Sequence, residues 1–339
     1  MKNKKVAIVL MNLGGPASLD KVKPFLFNLF YDKAIIRLPN PFRWIVAKFI
    51  SSRREKTAQT IYAQMGGKSP ILEETINQKI ALEKKFNDNT KFFISMRYAS
   101  PRSFEITQEI ANYNPDQILL LPLYPQFSST TTDSSIKDMM NELDKVKLKE
   151  KTTSICCYYT NEKFIESHIN KIKQTIDKLK NKNFRVLFSA HGLPEKVIKD
   201  GDPYQWQVEK TVEQIISRLD IEDYKITYQS RVGPMKWLEP YTESEIEKAC
   251  KENKAIVIVP IAFVSEHSET LVELDIEYAE IAKQYGVEYL RVQALSSCET
   301  FITALETIIK NFIKDKNLVV FSEKQIRICP ENFTNCVCR

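Results

Sequence analysis

"ILLLPLYPQFSSTT", residues 118–131, and "IVIVPIAFVSEHSET", residues 256–270, follow one pattern. Each begins with four apolar residues, places a proline fifth, continues through a second short apolar run and ends among hydroxyl side chains. An unbroken apolar run of this kind, bounded by turn residues, reads as a strand covered on both faces, as in a parallel sheet. The proline has no N–H to give to a ladder, so it marks where pairing stops. An earlier pair precedes these in the chain: "VLMNLGGP" (9–16) and "LFSAHGLP" (187–194), each a strand running into a turn with Gly and Pro. Two repeated pairs in the same order imply a duplicated α/β unit.

Working outward, "KFFISMRY" (91–98), "KITYQSR" (225–231) and "VEYLRVQAL" (287–295) supply further strands, with helix-like segments between them. That alternation predicts α/β architecture: two similar Rossmann-like domains, each a parallel sheet flanked by helices. The charged run "DKVKLKEK" (144–151) places a boundary near residue 150. The expected division is 1–150, 151–318 and a C-terminal tail, 319–339.

Composition agrees. A chain of 339 residues has room for two domains with their own cores. Apolar residues at 43% and charged residues at 27% fit a soluble globular protein, and no apolar run approaches the roughly 18 residues of a spanning helix. The start "MKNKKVAIVLMNLGGP" runs into Asn and Gly without a small-residue cleavage site, so it reads as a first strand, not a secretory signal. A cytoplasmic protein is expected. The net charge of +6 comes largely from lysines scattered through predicted helices. This favours solubility and a loose attraction to anionic lipid, not a nucleic-acid stripe, and no DNA or RNA partner is expected.

In doubly wound sheets ligands bind beyond the carboxyl ends of the strands. Those ends carry Asn12 and Gly14, Arg97 and Tyr98, Tyr124 and Gln126, His191, Ser230 and Arg231, and Glu266 through Glu269. Two of the three histidines, His191 and His267, fall there. A lone histidine is more often structural, but these accompany an acidic run. If residues 266–277 are helical, Glu266, Glu269, Glu273 and Glu277 step by three, four and four and line one face, either a solvated surface or a path for a cation. Imidazole with carboxylate is an ordinary set for Fe2+ or another borderline divalent ion, and histidine carries protons near neutrality. The spacing makes an open, transient site rather than a closed cage.

Other motifs fail. "GGKS" (66–69) lacks the first glycine of a phosphate loop, having Tyr62 there, and no strand precedes it. "NLGGP" is not G-x-G-x-x-G, and no G-x-S-x-G elbow is present. The stretch "KPFLFNLFYDKAIIRLPNPFRWIVAKFISSRR" (23–54) is crowded with apolar side chains. It reads either as two core helices or, over about 24–50, as an apolar lip beside a cleft for a large flat substrate, touching a membrane surface. Arg53 and Arg54 close it, suited to carboxylates or lipid phosphates.

Of seven cysteines, Cys156, Cys157, Cys250 and Cys298 read as reduced cytosolic thiols. Cys329, Cys336 and Cys338 crowd the terminal "ICPENFTNCVCR". Three thiolates with a fourth from the body suit zinc or an iron–sulfur cluster.

Seven ordered blocks now carry a resemblance over nearly the whole chain: "LMNLGGP", "GGKSP", "MRYASP", "LYPQFSSTTT", "SAHGLPEKVIKDGDPY", "QSRVGPMKWLEPYT" and "PIAFVSEHSETLVELDIEY". The sequence is similar to the ferrochelatase family. The resemblance implies two chelatase-type domains around a porphyrin cleft, and insertion of Fe2+ into protoporphyrin IX, giving protohaem in the terminal step of haem synthesis. Fe2+ and porphyrin are then the substrates. The S-A-H block makes His191 the active-site histidine and the S-E-H-S-E block makes Glu269 its partner, both able to meet Fe2+. His267, Glu273 and Glu277 match the acidic path behind them. Arg54, Tyr62, Ser69 and Trp237 match porphyrin contacts, and the strand-end residues Arg97 and Tyr124 join them as candidates. The tail resembles bacterial members that bear a [2Fe–2S] cluster, which implies Cys157, Cys329, Cys336 and Cys338 as ligands. The animal enzymes' internal ligand falls on Ser129 here, so Cys157 takes that place, with Cys156 as the alternative. Coproporphyrin in place of protoporphyrin, a cobalt or nickel chelatase, and a non-catalytic haem or iron carrier stand as alternative readings. The lip reading implies a peripheral contact at the inner face of the membrane. Oligomeric state is left open.

Overall fold

Seven consecutive buried residues form β1 (Val6–Asn12), as the repeat predicts for a strand covered on both faces. The computed structural model describes residues 4–314, 320–322, 324 and 326–338, which fall into two compact units. In the first unit β1 lies between β2 (Thr90–Met96) and β3 (Gln117–Pro122), and β3 pairs with β4 (Thr152–Ile155). The sheet ends at β9 (Val320–Phe321), giving the order β2-β1-β3-β4-β9, all parallel. Helices α1 (Val22–Phe30), α2 (Phe42–Ala63), α3 (Ile71–Glu83), α4 (Ser103–Tyr113) and α5 (Thr132–Lys145) connect the strands. Val9, Met11, Ile118 and Leu120 pack against Ile106 and Ile110 of α4 and Met139 and Leu143 of α5.

In the second unit β5 (Phe184–His191) lies between β6 (Tyr224–Gln229) and β7 (Ala255–Pro260), with β8 (Tyr289–Arg291) beside β7. The order β6-β5-β7-β8 repeats β2-β1-β3-β4. The echoed sequences are thus the corresponding strands β1 and β5, and β3 and β7. Around this sheet run α6 (Glu162–Ile176), α7 (Glu195–Lys199), α8 (Tyr204–Ile216), α9 (Thr242–Lys251), a π-helical turn Glu269–Glu277 and α10 (Tyr278–Gln284), whereas α11 (Glu299–Lys314) begins in this unit and from Leu305 belongs to the first.

The chain crosses between units more than once. Among the described residues the first takes 4–157, 305–314, 320–322, 324, 326–327 and 337–338, and the second takes 158–304 and 328–336. Where the charged run set a boundary near 150, the first unit extends to Cys157, because β4 adds to the first sheet. β4 is only "TTSI", too short and too rich in hydroxyls to stand out as an apolar run.

The greasy stretch divides. α1 buries Val22, Phe25 and Leu26, whereas α2 leaves Phe42, Trp44, Ile45 and Phe49 exposed at 61, 43, 55 and 64%. The residues after α2, including Gly66 and Gly67 with φ of 83° and 85°, follow a helix and not a strand, which excludes the phosphate-loop geometry. Among the described residues no helix is long and apolar enough to cross a membrane.

Candidate active site

His191 closes β5, and the chain turns directly behind it. The Gly192 N–H donates to Gln229 O at 2.9 Å, and a Cβ at Gly192 would stand 2.8 Å from that oxygen. Glycine is what lets the two strand ends approach so closely. Trp237 forms a bridge with Pro194 beside this turn, and its Nε1–H donates to Val232 O at 3.1 Å. Tyr204 Oη donates to the His191 carbonyl at 3.1 Å.

At the end of β6, Ser230 adopts a left-handed backbone with φ 63°. For a residue other than glycine this costs about 1 kcal/mol or more. The turn aims the Ser230 N–H at Glu273 Oε1 (2.9 Å), and brings its Oγ to Glu273 Oε2 (2.5 Å) and Glu269 Oε2 (3.0 Å). Gln229 Nε2 donates to Glu273 Oε2 at 3.0 Å while Ser189 Oγ, at 2.7 Å, holds Gln229 Oε1 from behind. Tyr278 Oη completes the set, donating to Glu273 Oε1 at 2.9 Å.

Both glutamates stand on the π-helical turn, where the Tyr278 N–H reaches back five residues to Glu273 O. Such turns recur at functional sites. The four acids of the run therefore separate. Glu266 precedes the turn and is held by Arg291 Nη1 at 2.9 and 3.1 Å and by the Ala294 N–H at 2.9 Å. Arg291 also clamps Asp275 through Nε (2.5 Å) and Nη2 (2.7 Å). Glu277 is exposed. Glu269 and Glu273 converge, and Glu269 Oε2 reaches His191 Nδ1 at 2.7 Å.

The electrostatics follow from this geometry. Burial works against charge on His191, but the Glu269 carboxylate, its hydrogen bond and the more distant Glu273 outweigh it and raise the imidazole above its ordinary range. Burial also works against ionising Glu269, and the facing His191, with help from His267 and the Ser230 hydroxyl, holds that carboxyl below the usual range. Glu273 goes the other way, pushed up first by burial and then by the charge on Glu269. The two neighbouring carboxyls are thus driven apart, Glu269 down and Glu273 up. His191 Nε2 makes no hydrogen bond among the described residues, and the side chain is 37% exposed. His267 is buried, its Nδ1 3.1 Å from Ser265 O, and burial keeps it below the ordinary imidazole range.

An imidazole backed by a carboxylate, with its outer nitrogen open and a second carboxyl behind, is an apparatus for taking a proton and meeting a cation. The ferrochelatase family pattern matches residues 5–313. A ferrochelatase of Rickettsia felis is 56% identical over 344 residues, covering 99% of this chain and 98% of its own. Another, of Pelagibacter ubique, is 51% identical over 347 residues, covering 98% of each. The chain belongs to the ferrochelatase family. Among solved structures, SirB from Bacillus subtilis with Fe3+ aligns at TM-score 0.56 and 11% identity, covering 91% of this chain and 95% of its own, a likeness of fold alone.

The remaining candidates of this ferrochelatase-family chain occupy varied settings. In the first unit Arg54 is exposed, its guanidinium 5.8 Å from the Phe30 ring centre. Tyr62 is buried edge-on to Phe25, and Ser69 is buried with its N–H on Pro16 O at 2.9 Å. Arg97 is bound to Asp32 at 2.9 Å and Asp138 at 3.3 Å, and its Nε donates to Ser134. Burial pushes the Tyr124 hydroxyl pKa well up. In the second unit Trp237 is buried at 8% exposure. Gln229, Tyr204 and Tyr278 were not among the sequence candidates, and Ser230 was marked there only as a strand end. Their signal was position: Gln229 and Ser230 end a strand, and Tyr278 follows Glu273 by five.

For an iron–sulfur cluster the donor chemistry is suitable. Cys157, Cys329, Cys336 and Cys338 are buried at 2, 6, 7 and 3% exposure, while residues 330–332 of the tail are exposed. Cys156 is equally buried, its Sγ 3.4 Å from that of Cys157. Among the described residues, however, no three or more His, Cys, Asp or Glu side chains are grouped so as to hold a metal ion.

Proposed function

We propose that this ferrochelatase-family protein inserts Fe2+ into protoporphyrin IX, with His191 as the proton acceptor and Glu269 as its partner. The 2.7 Å contact between His191 Nδ1 and Glu269 carries the reading, because it leaves Nε2 as the basic, open nitrogen. Metal enters a porphyrin after two pyrrole protons leave and the ion sheds water. His191 Nε2 takes the pyrrole protons one at a time, releasing the first to solvent before accepting the second, while Glu269 stabilises the charge that develops on the imidazole. Glu269 and Glu273 then offer one anionic and one proton-bearing carboxyl beside the incoming ion, so charge and proton can exchange without building two neighbouring anions. His267 and Glu277 extend this path, Glu277 at its solvent end.

The porphyrin is held by Arg54, Tyr62, Ser69, Arg97, Tyr124 and Trp237. Arg54 is free to meet a propionate directly; the buried members support the surface against which the macrocycle lies. The exposed Phe42, Trp44, Ile45 and Phe49 of α2 support both an apolar lip for the substrate and a peripheral contact with the inner face of the membrane, in a cytoplasmic enzyme. Anaerobic turnover with Fe2+ and either porphyrin tests the whole reading. Faster use of coproporphyrin would replace the substrate, and stoichiometric binding without turnover would leave a carrier.

The tail bears a second proposal: a [2Fe–2S] cluster on Cys157, Cys329, Cys336 and Cys338, with Cys156 as the alternative internal ligand. Support comes from four buried thiols, three of them in a segment, 326–338, whose other described residues are exposed or half-buried. Such a centre supplies one-electron redox chemistry, and no chelation step is routed through it.

A further inference from the structure

Residues 328–336 fold with the second unit, against α8 and the turn that precedes it. The Asn335 N–H donates to Gly201 O at 3.2 Å and its Nδ2 donates to Asp200 O at 3.0 Å. Gly201 has φ 98°, and a Cβ there would come within 3.0 Å of Thr334 N, so the segment lies directly on this turn. The Phe333 ring meets Trp206 of α8 at 5.7 Å, and Trp206 meets Tyr159 at 5.7 Å on its edge.

Deeper in the same contact, Gln207 is fully buried, and its Nε2 donates to Cys329 Sγ at 3.1 Å. A buried amide is costly unless its polar atoms are used, and here one donor goes to a sulfur in the C-terminal segment. Three residues earlier on the same buried face of α8 stands Tyr204, which donates to the His191 carbonyl at 3.1 Å. One helix turn therefore touches the C-terminal segment through one side chain and the main chain of the active-site histidine through another.

We propose that the C-terminal segment is a positioning element of the active site, with Gln207 and Tyr204 as the positioning residues through which its seating at Cys329 fixes the main chain of His191. The inference rests on the reading of His191 as the reacting base. It does not require a metal at Cys329, since any sulfur there, thiol or ligand, accepts the Gln207 N–H. A helix held at both points sets the height of the His191 carbonyl, and with it the reach of the ring to Glu269.

A double-mutant cycle in the full chain decides the matter. Gln207→Leu keeps the shape and removes the donor, and Tyr204→Phe removes one hydroxyl. Each should lower kcat about five-fold, the equivalent of about 1 kcal/mol in the barrier, with the porphyrin KM unchanged. If both act along one route, the double variant is no slower than the slower single. Hydrogen exchange should also quicken in a peptide covering residues 185–193 in Gln207→Leu. Phe333→Ala, altered only in the half-exposed segment, should quicken the same peptide and guards against a Gln207 variant that fails to fold. Effects that multiply to about 25-fold, or unchanged exchange at 185–193 in the folded variants, would overturn the proposal. Full activity of His191→Ala would overturn the catalytic reading instead, and the exchange result would still report the coupling.

Discussion

Glu269 and Glu273 share a single hydroxyl: Ser230 Oγ lies 3.0 Å from Oε2 of the first and 2.5 Å from Oε2 of the second. A hydroxyl has one proton to give, so both carboxyls are best satisfied when one of them carries a proton of its own. Of the two, Glu273 is the one whose pKa is pushed up, by burial and by its neighbour's charge.

Glu273→Gln should accordingly be mild, because a neutral amide resembles a protonated carboxyl. Glu269→Gln removes the charge facing His191 and should cost on the order of 100-fold in kcat. Lys236→Gln, on an exposed side chain paired with Glu195, should do little. Steady-state rates for the three variants check the order; equal losses at 269 and 273 would sink the division of roles.

His191→Ala should abolish chelation while porphyrin binding and thermal stability persist, since the side chain is 37% exposed and supports little core. The pH profile gives the sign. His191 acts as a base only when neutral, and Glu269 raises its pKa, so activity should rise with pH through a midpoint above the ordinary imidazole value. In residual Glu269→Gln activity burial is no longer outweighed, and the midpoint should move down. A midpoint that stays put in that variant argues against the pair.

Arg291 holds two acids, Glu266 in front of the π turn and Asp275 within it. Arg291→Leu would leave Glu266 buried without its partner and should destabilise the fold by about 3 kcal/mol, read by denaturant unfolding. Burial works against ionising Glu266, but Arg291 lowers its pKa below the usual value. Its contribution is therefore complete above the unfolded carboxyl pKa and fades as pH falls through the lower folded value. Wild type and Arg291→Leu should converge in strong acid.

Anaerobically purified protein should be brown, with about two irons per chain, the content of a [2Fe–2S] centre. Cys336→Ser should bleach it and lower the melting temperature, because binding energy at such a site is partly folding energy. Cys250, buried among Ile246, Ile258 and Leu274, should be replaceable by Ala without loss of colour. Colourless protein containing zinc would change the cofactor, and colourless protein without metal would remove it.

The sheets were legible because their central strands are long apolar runs: β1, β3, β5 and β7 are buried from end to end or nearly so. β4 and β9 were not, since a short strand such as "TTSI" carries no pattern that distinguishes it from a loop. His191 stood out by residue type and its place at a strand end, whereas Glu269 was singled out from the other acids by the family resemblance alone. What periodicity could not provide was the π geometry, because steps of three and four look alike whether each N–H reaches back four residues or five. Nor could it separate Glu266 from the other acids, for that depends on Arg291, twenty-five residues away. The exposure of Phe42 and Phe49 was undecidable for the opposite reason: apolar residues at helical spacing look the same facing a core or facing solvent.

The left-handed backbone at Ser230 limits what evolution can place there. Glycine would relieve the φ of 63° but remove the hydroxyl that bridges the two glutamates. Threonine would restore a hydroxyl, yet a β-branched side chain is a true outlier at positive φ. Asparagine tolerates the conformation but brings a longer amide into space filled by two carboxyls. Serine alone combines a small hydroxyl with an unbranched Cβ, so substitution at this position is constrained twice, by the chain's direction and by the chemistry it serves.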